Sequence, residues 1–387
     1  MTPTVWLASA GFVATAVAFG PARMGFGLFL PTFRESFALT STGAGLIASL
    51  GFLAFLLALP ASAWLGMRRG QRLPVLLGTA SATAGFAVVA GATDAVSLAA
   101  GVALAGASAG FCWAPFNDAA ERVVPHEARP GALSAVSTGT TVGVAAAGAT
   151  FLGVTSGAID WRVAWGVFAG IAVGAALLAA RGLPGGRTRA HADASGTPGL
   201  VRRDVTPLYG AAVCFGASNA VYLSFAADHV VAAGGLAGLA DRAAAAVIFL
   251  AYGACGLVGL ATGRIEARSG IVALLAAIFA AFAASLVLIA LAPGAWAAVL
   301  VSAGLHGAAV MTISAVLSFW SLRLFPGRGS LGFTAALIGV AGGSVVGPVL
   351  AGALADAAGL RATFLIAAAA PLAATLVFAR ATLRARR

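Results

Sequence analysis

The chain contains no lysine, and all 23 of its basic residues are arginine. Acids number only 12, and charged residues fill 9% of the 387 positions, against roughly 25% in soluble domains. The preference for arginine, beside so much alanine and glycine, reads as genomic codon bias. Cysteine is nearly absent too: Cys112, Cys214 and Cys255 are odd in number and all fall inside apolar runs. They read as small packing residues, which excludes a disulfide or zinc framework. No Walker A pattern is present, so ATP-driven chemistry is not implied. The opening Met1-Thr-Pro-Thr-Val-Trp6 has no basic region before its long apolar run, so a cleaved signal peptide is not expected. No acid falls clearly at the middle of an apolar run. Asp118 and Asp228 lie near the ends of theirs, and no carboxylate proton relay is visible.

What fills the chain is hydrocarbon. Apolar residues make up 60% of it, and the mean hydropathy is +0.99. Runs of about 20 apolar residues recur throughout, without the alternation of a membrane β-strand, so the expected class is all-α and polytopic. Twelve spans can be placed: 5–31, 42–65, 73–92, 96–118, 131–153, 161–181, 206–228, 243–263, 270–291, 295–320, 331–354 and 359–380. The even number puts both termini on one side. Eighteen arginines lie on the terminal side, including Arg68, Arg69, Arg72, Arg202, Arg203 and Arg264. Arg34, Arg162, Arg242 and Arg361 lie opposite. This asymmetry places both termini in the cytoplasm, in an inner membrane. It also accounts for the +11 charge without nucleic acid. The polar stretch 183–205 reads as a cytoplasmic linker between six-helix bundles 1–182 and 206–387.

The halves repeat each other. Phe19-Gly20 returns as Phe215-Gly216, which sets Arg23 opposite Asn219 and Phe26 opposite Tyr222. Gly70 matches Gly270, Arg129 matches Arg328, and Trp161-Arg162 matches Leu360-Arg361. A duplicated six-helix unit implies two pseudo-symmetric bundles with a site between them at mid-membrane. The 6+6 layout, the long central loop and two loop motifs resemble the major facilitator superfamily over the whole length. The motif copies are Ala63-Trp-Leu-Gly-Met-Arg-Arg-Gly-Gln-Arg72 and Gly263-Arg-Ile-Glu-Ala-Arg-Ser-Gly270. Where the family usually has an aspartate, this chain has Met67 and Ala267, with Glu266 one position away as a substitute. The run Arg23-x-Gly25-x-Gly27-x-x-x-Pro31 is similar to that of a poorly characterised bacterial branch. The resemblance implies alternating-access transport and names no solute.

Arg23 is the one arginine that no loop or helix end accommodates. It lies eight residues before Pro31, roughly 12 Å inside the expected end of the first span. A guanidinium in hydrocarbon costs at least a few kcal/mol, so an interior position with an oxyanion as ligand is expected. Superfamily carriers of organic anions or organic phosphates resemble the chain in placing an arginine there. The competing reading is a snorkelling or structurally paired side chain. Asn219 and Tyr222 offer hydrogen bonds from the seventh span, to substrate or to a neighbouring helix. His306 offers a ligand, a proton site or an interhelical hydrogen bond. Trp113 and Asn117 flank Pro115 and either wall a cavity or mark a kink. The substrate-binding set is therefore Arg23, Phe26, Trp113, Asn117, Asn219, Tyr222 and His306.

Other patterns reduce to packing. Gly339, Gly343, Gly347 and Gly352, with Pro348, form a smooth face expected at a rocking interface. Ser134, Ser137, Thr138, Thr140 and Thr141 read as helix-packing groups. Gly106-Ala-Ser108-Ala-Gly110 fits a hydrolase elbow in letters only, since it lies in a continuous apolar helix.

The function expected is secondary active or facilitative transport of a small carboxylate-type anion, with no cofactor and no enzymatic role. A coupling proton or counter-substrate would be the second passenger, and a monomer in the lipid bilayer the working unit. The alternative is a proton-coupled exporter of hydrophobic or cationic compounds.

Overall fold

The computed structural model describes residues 2–186, 200, 202–240, 242–325 and 329–385. Most of the stretch 183–205, with Arg187 and Arg189, lies outside the described residues, as do Arg328, Arg386 and Arg387. Among the described residues the regular structure is entirely helical. Eleven helical stretches there are long and apolar enough to cross a membrane. The last, Gly332–Arg384, holds two of the expected spans: Gly359 interrupts it with φ 81°, a left-handed turn open to glycine.

The first compact unit is Met1–Leu39 with Leu50–His191. It contains α1 (Pro3–Phe19), α2 (Pro21–Phe37), most of α3 (Ser41–Arg69), α4 (Arg72–Ala90), α5 (Ala95–Phe111), α6 (Ala114–Val123), α7 (Arg129–Thr155) and α8 (Trp161–Gly182). The first span is thus two helices. Pro21 has no N–H to continue the ladder, and the chain breaks at Gly20 (φ −81°, ψ −104°). Pro31, expected near the end of the span, lies inside α2, which runs on to Phe37. The fourth span breaks at Cys112 and Trp113 for the same reason, with Pro115 opening α6.

The second unit is Thr40–Ser49 with Ala192–Arg387. Its helices are α9 (Thr206–Ala232), α10 (Ala243–Gly256), α11 (Thr262–Ser269), α12 (Ile271–Leu291), α13 (Trp296–Leu324), α14 (Gly329–Ala367) and α15 (Ala369–Ala385). The eighth span is not one α-helix either. A 3-10 stretch, Leu257–Ala261, separates α10 from α11.

The repeat is visible in how each unit packs. In the first, a Cβ on Gly20 would collide with the Gly143 backbone of α7, and Thr15 Oγ1 donates to Val136 O at 2.6 Å. In the second, a Cβ on Gly216 would collide with Val340 O of α14, and Ser344 Oγ donates to Gly216 O at 3.1 Å. Each unit thus joins its first span to its fifth by backbone-to-backbone contact, which only small residues permit. Gly339, Gly343 and Gly347 face α9 of their own unit, whereas the sequence suggested a rocking interface for them. Gly352 meets Ser41 instead, and the Asp356 carboxylate accepts the N–H groups of Ser41 and Thr42 at 2.9 and 2.8 Å. Ser108 Oγ donates to Ala105 O inside α5, so the hydrolase-like letters are ordinary helix.

Candidate functional site

Arg23 stands in the first turn of α2, three residues after the break at Gly20. Its guanidinium carbon lies 4.6 Å from the Phe55 ring centroid and 5.6 Å from those of Phe19 and Phe52. All three rings are buried, while Arg23 itself is half-buried. The side chain is therefore turned onto the aromatic faces of α1 and α3. Each such contact contributes about 0.5–2 kcal/mol, the upper figure where water is excluded. Phe19 in turn meets Trp113 edge to face, centroids 4.8 Å apart, and Trp113 is half-buried at the head of α6. Asn117 is half-buried one turn further along. Phe26 points elsewhere: its ring stacks at 5.9 Å on Phe33, in an aromatic core with Phe29, Phe151, Trp161 and Trp165.

The second unit buries a polar cluster drawn from four helices. α9 supplies Asn219 and Tyr222, α10 Tyr252, α12 Ser285, and α13 Ser302 and His306. Asn219 is 2% exposed, Tyr222 1% and His306 0%, so this cluster is closed on all sides in this conformation. Tyr252 OH donates to Asn219 Oδ1 at 3.3 Å. Ser302 Oγ donates to Ser285 O at 2.8 Å, which uses its only proton. Its oxygen is left to accept from Tyr222 OH or Ser285 OH, each 3.2 Å away. Ser285 Oγ also lies 3.0 Å from His306 Nδ1. Whichever way that bond runs, His306 Nε2 remains buried with no partner. The imidazole is sandwiched by rings: Tyr222 stacks on it and Phe282 meets it edge-on at 4.9 Å.

The structure thus brings Asn219, Tyr222 and His306 into one buried cluster, in which Tyr222 and His306 are linked through Ser302 and Ser285 while Asn219 bonds to Tyr252. It puts Arg23 and Trp113 around one aromatic patch, and seats Phe26 in a separate core. Sequence reasoning missed Phe52, Phe55, Tyr252, Ser285 and Ser302. Ser285 had a signal, as the one hydroxyl in the apolar helix Ile271–Leu291. Phe52 and Phe55 had none, being two more apolar residues in an apolar span.

The loop motifs also resolve. Glu266 pairs with Arg323 at 2.8 Å, tying the end of α11 to the end of α13. In the first unit Met67 is 64% exposed, and Gln71 Nε2 donates to Asp118 Oδ2 at 2.8 Å. An ion pair in one half is matched by an amide–carboxylate bond in the other.

No curated protein matches the chain by sequence. A variant of the nucleoside transporter NupG matches in structure with a TM-score of 0.76 at 11% identity, covering 98% of this chain and 99% of that one. NupG itself matches with a TM-score of 0.74 at 12% identity, over 99% of each chain. A bacterial homolog of the human lysosomal transporter Spinster, inward-facing and unoccupied, gives 0.69 at 16% identity over 98% and 97%. At these identities the likeness establishes the fold alone. By sequence, the model of the Major Facilitator Superfamily matches residues 10–315. With most of its length matched, the chain belongs to the Major Facilitator Superfamily, as a multi-pass integral membrane protein with the fold of that superfamily's transporters.

Proposed function

We propose that the protein is a secondary transporter, active or facilitative, that moves a small carboxylate-type anion across the inner membrane by alternating access. Both termini would be cytoplasmic. The observation that carries the reading is Arg23, a fixed cation inside a membrane span, held over Phe19, Phe52 and Phe55. Aromatic faces soften the cost of placing a guanidinium there, and its N–H donors lie in its own plane. A carboxylate accepts two such donors at once, in the planar geometry that arginine presents. A state that closes around the bound anion would gain from those paired hydrogen bonds.

One observation favours the exporter of hydrophobic or cationic compounds. Asp228, near the end of α9, is 6% exposed, the one acid among the described residues that is fully buried. It would serve a cation as Arg23 serves an anion.

The test is flux into proteoliposomes of a panel of labelled carboxylates and lipophilic cations, with wild type, Arg23→Ala and Asp228→Asn. Carboxylate flux lost in Arg23→Ala that still folds, as its cooperative melting shows, is the expected result. Well-folded Arg23→Ala that carries the same carboxylate at wild-type rate, or cation flux lost in Asp228→Asn, would overturn it.

A further inference from the structure

We propose that the end of α3 is a binding site for an anionic phospholipid, its phosphate on a cluster of arginines and its acyl chain along the helix. The site is separate from Arg23 and does not depend on which solute is carried.

α3 bears a stripe of exposed apolar residues at helical spacing: Leu50, Leu53, Leu57, Pro60, Trp64 and Met67. The stripe runs about 26 Å at 1.5 Å per residue, longer than one leaflet of a hydrocarbon core about 30 Å thick. Trp64 and Met67, 49% and 64% exposed, close it. The Arg68 guanidinium follows, 4.5 Å from the Trp64 ring centroid. Arg69 ends the helix, and a turn through Gly70, with φ 84°, sets Arg72 at the start of α4. A fourth arginine arrives from α6. Gly186 O packs against Gly70 and accepts from Arg122 Nη1 at 3.4 Å, which carries Arg122 to the same turn.

Two acids of α6 are near: Asp118, which accepts from Gln71 at 2.8 Å, and Glu121, next to Arg122 in the chain. Four arginines therefore face two acids, and among the described residues none of the four stands in an ion pair. The matching turn of the second unit has its own acid, Glu266, paired with Arg323 at 2.8 Å. No acid lies between Ala63 and Arg72, so the excess charge here calls for a group from outside. A membrane supplies one. Phosphodiesters lie at the depth where interfacial tryptophan and arginine settle, directly above the acyl chains that the stripe meets. A zwitterionic headgroup would bring its ammonium into the same arginines, so a net negative headgroup fits better.

The test is native mass spectrometry of purified full-length protein, titrated with phosphatidylglycerol and with phosphatidylethanolamine of the same acyl chains. Wild type should retain phosphatidylglycerol on the order of tenfold better, since each arginine at an anionic surface contributes a several-fold factor. The double variant Arg68→Gln/Arg69→Gln should lose that preference. Both side chains are exposed and leave no carboxylate unpaired, and cooperative melting checks that the variant folds. Arg380→Gln/Arg384→Gln makes the same charge change on α15 and should bind both lipids as wild type does. Equal retention of the two lipids by wild type would overturn the proposal, as would a preference that survives in Arg68→Gln/Arg69→Gln. An equal loss in the α15 variant would replace the site with diffuse charge. A lipid-free dimer of wild type would give the stripe to a second copy, and would overturn it too.

Discussion

The imidazole of His306 lies flat on the phenol ring of Tyr222, with centroids 3.9 Å apart and 15° between the planes. α13 and α9 are held in register there, because the ring stack is locked at both ends by hydroxyls. Tyr222 OH reaches Ser302, and His306 Nδ1 reaches Ser285, whose oxygens are themselves 3.2 Å apart.

Ser285 is the node of that network, so Ser285→Ala should strip His306 of its partner inside a fully buried site. Leaving a buried polar group unsatisfied costs about 1–3 kcal/mol. The expected result is a clear fall in melting temperature, with Ser302→Ala behaving similarly and the double variant costing less than the sum. Additive losses would show that the two serines act separately and the network is only a set of neighbours.

Arg23→Lys separates a charge from a fork. Lysine keeps the positive charge but presents a compact ammonium in place of planar paired donors. Carboxylate flux in proteoliposomes should fall to near that of Arg23→Ala, while the melting temperature stays near wild type. Substantial rescue by lysine would mean that charge alone is what the site requires.

Gly216 and Gly166 offer opposite outcomes for the same substitution. A methyl at Gly216 would collide with Val340 O, whereas one at Gly166 meets nothing within 4 Å. Gly216→Ala should destabilise by about 1–3 kcal/mol through overpacking. Gly166→Ala should be neutral or stabilise by about 0.4–1 kcal/mol through the unfolded chain. Thermal unfolding of both decides it, and equal effects would contradict the close contact of α9 with α14.

Asp356 closes the exposed start of α3, accepting from Ser41 and Thr42. Asp356→Ala should cost about 0.5–2 kcal/mol, the usual range for a lost N-terminal cap, and Asp356→Asn less. Hydrogen exchange at Ser41 and Thr42 is the sensitive readout. Unchanged protection in Asp356→Ala would show that Gly352 and Pro348, packed against the same turn, hold it without the carboxylate.

Several features were legible without any structure. The span count follows from the length of hydrocarbon runs, since a bilayer demands about 20 apolar residues per crossing. A kink near Trp113 was legible in Pro115, which lacks a backbone donor, whereas the break at Pro21 was not, the first span being expected as one helix over 5–31. The family follows from the repeat and the two loop motifs. Arg23 stood out because charge is rare in such segments. The second unit's hold on Thr40–Ser49 left no comparable trace.

What tertiary structure alone decided is which side chains meet. A helix in a soluble domain betrays its buried face by polar residues on the other. Here lipid and protein interior are equally apolar, so the face of α3 carrying Phe52 and Phe55 is written in the same residues as the face that meets lipid. The aromatic seat of Arg23, the four-helix cluster around His306 and the turning of Phe26 into a separate core are matters of packing. The sequence by itself determined how many times the chain crosses, because that depends on the length of its apolar runs. Neighbours were left to the fold, because hydrophobicity does not distinguish one apolar partner from another.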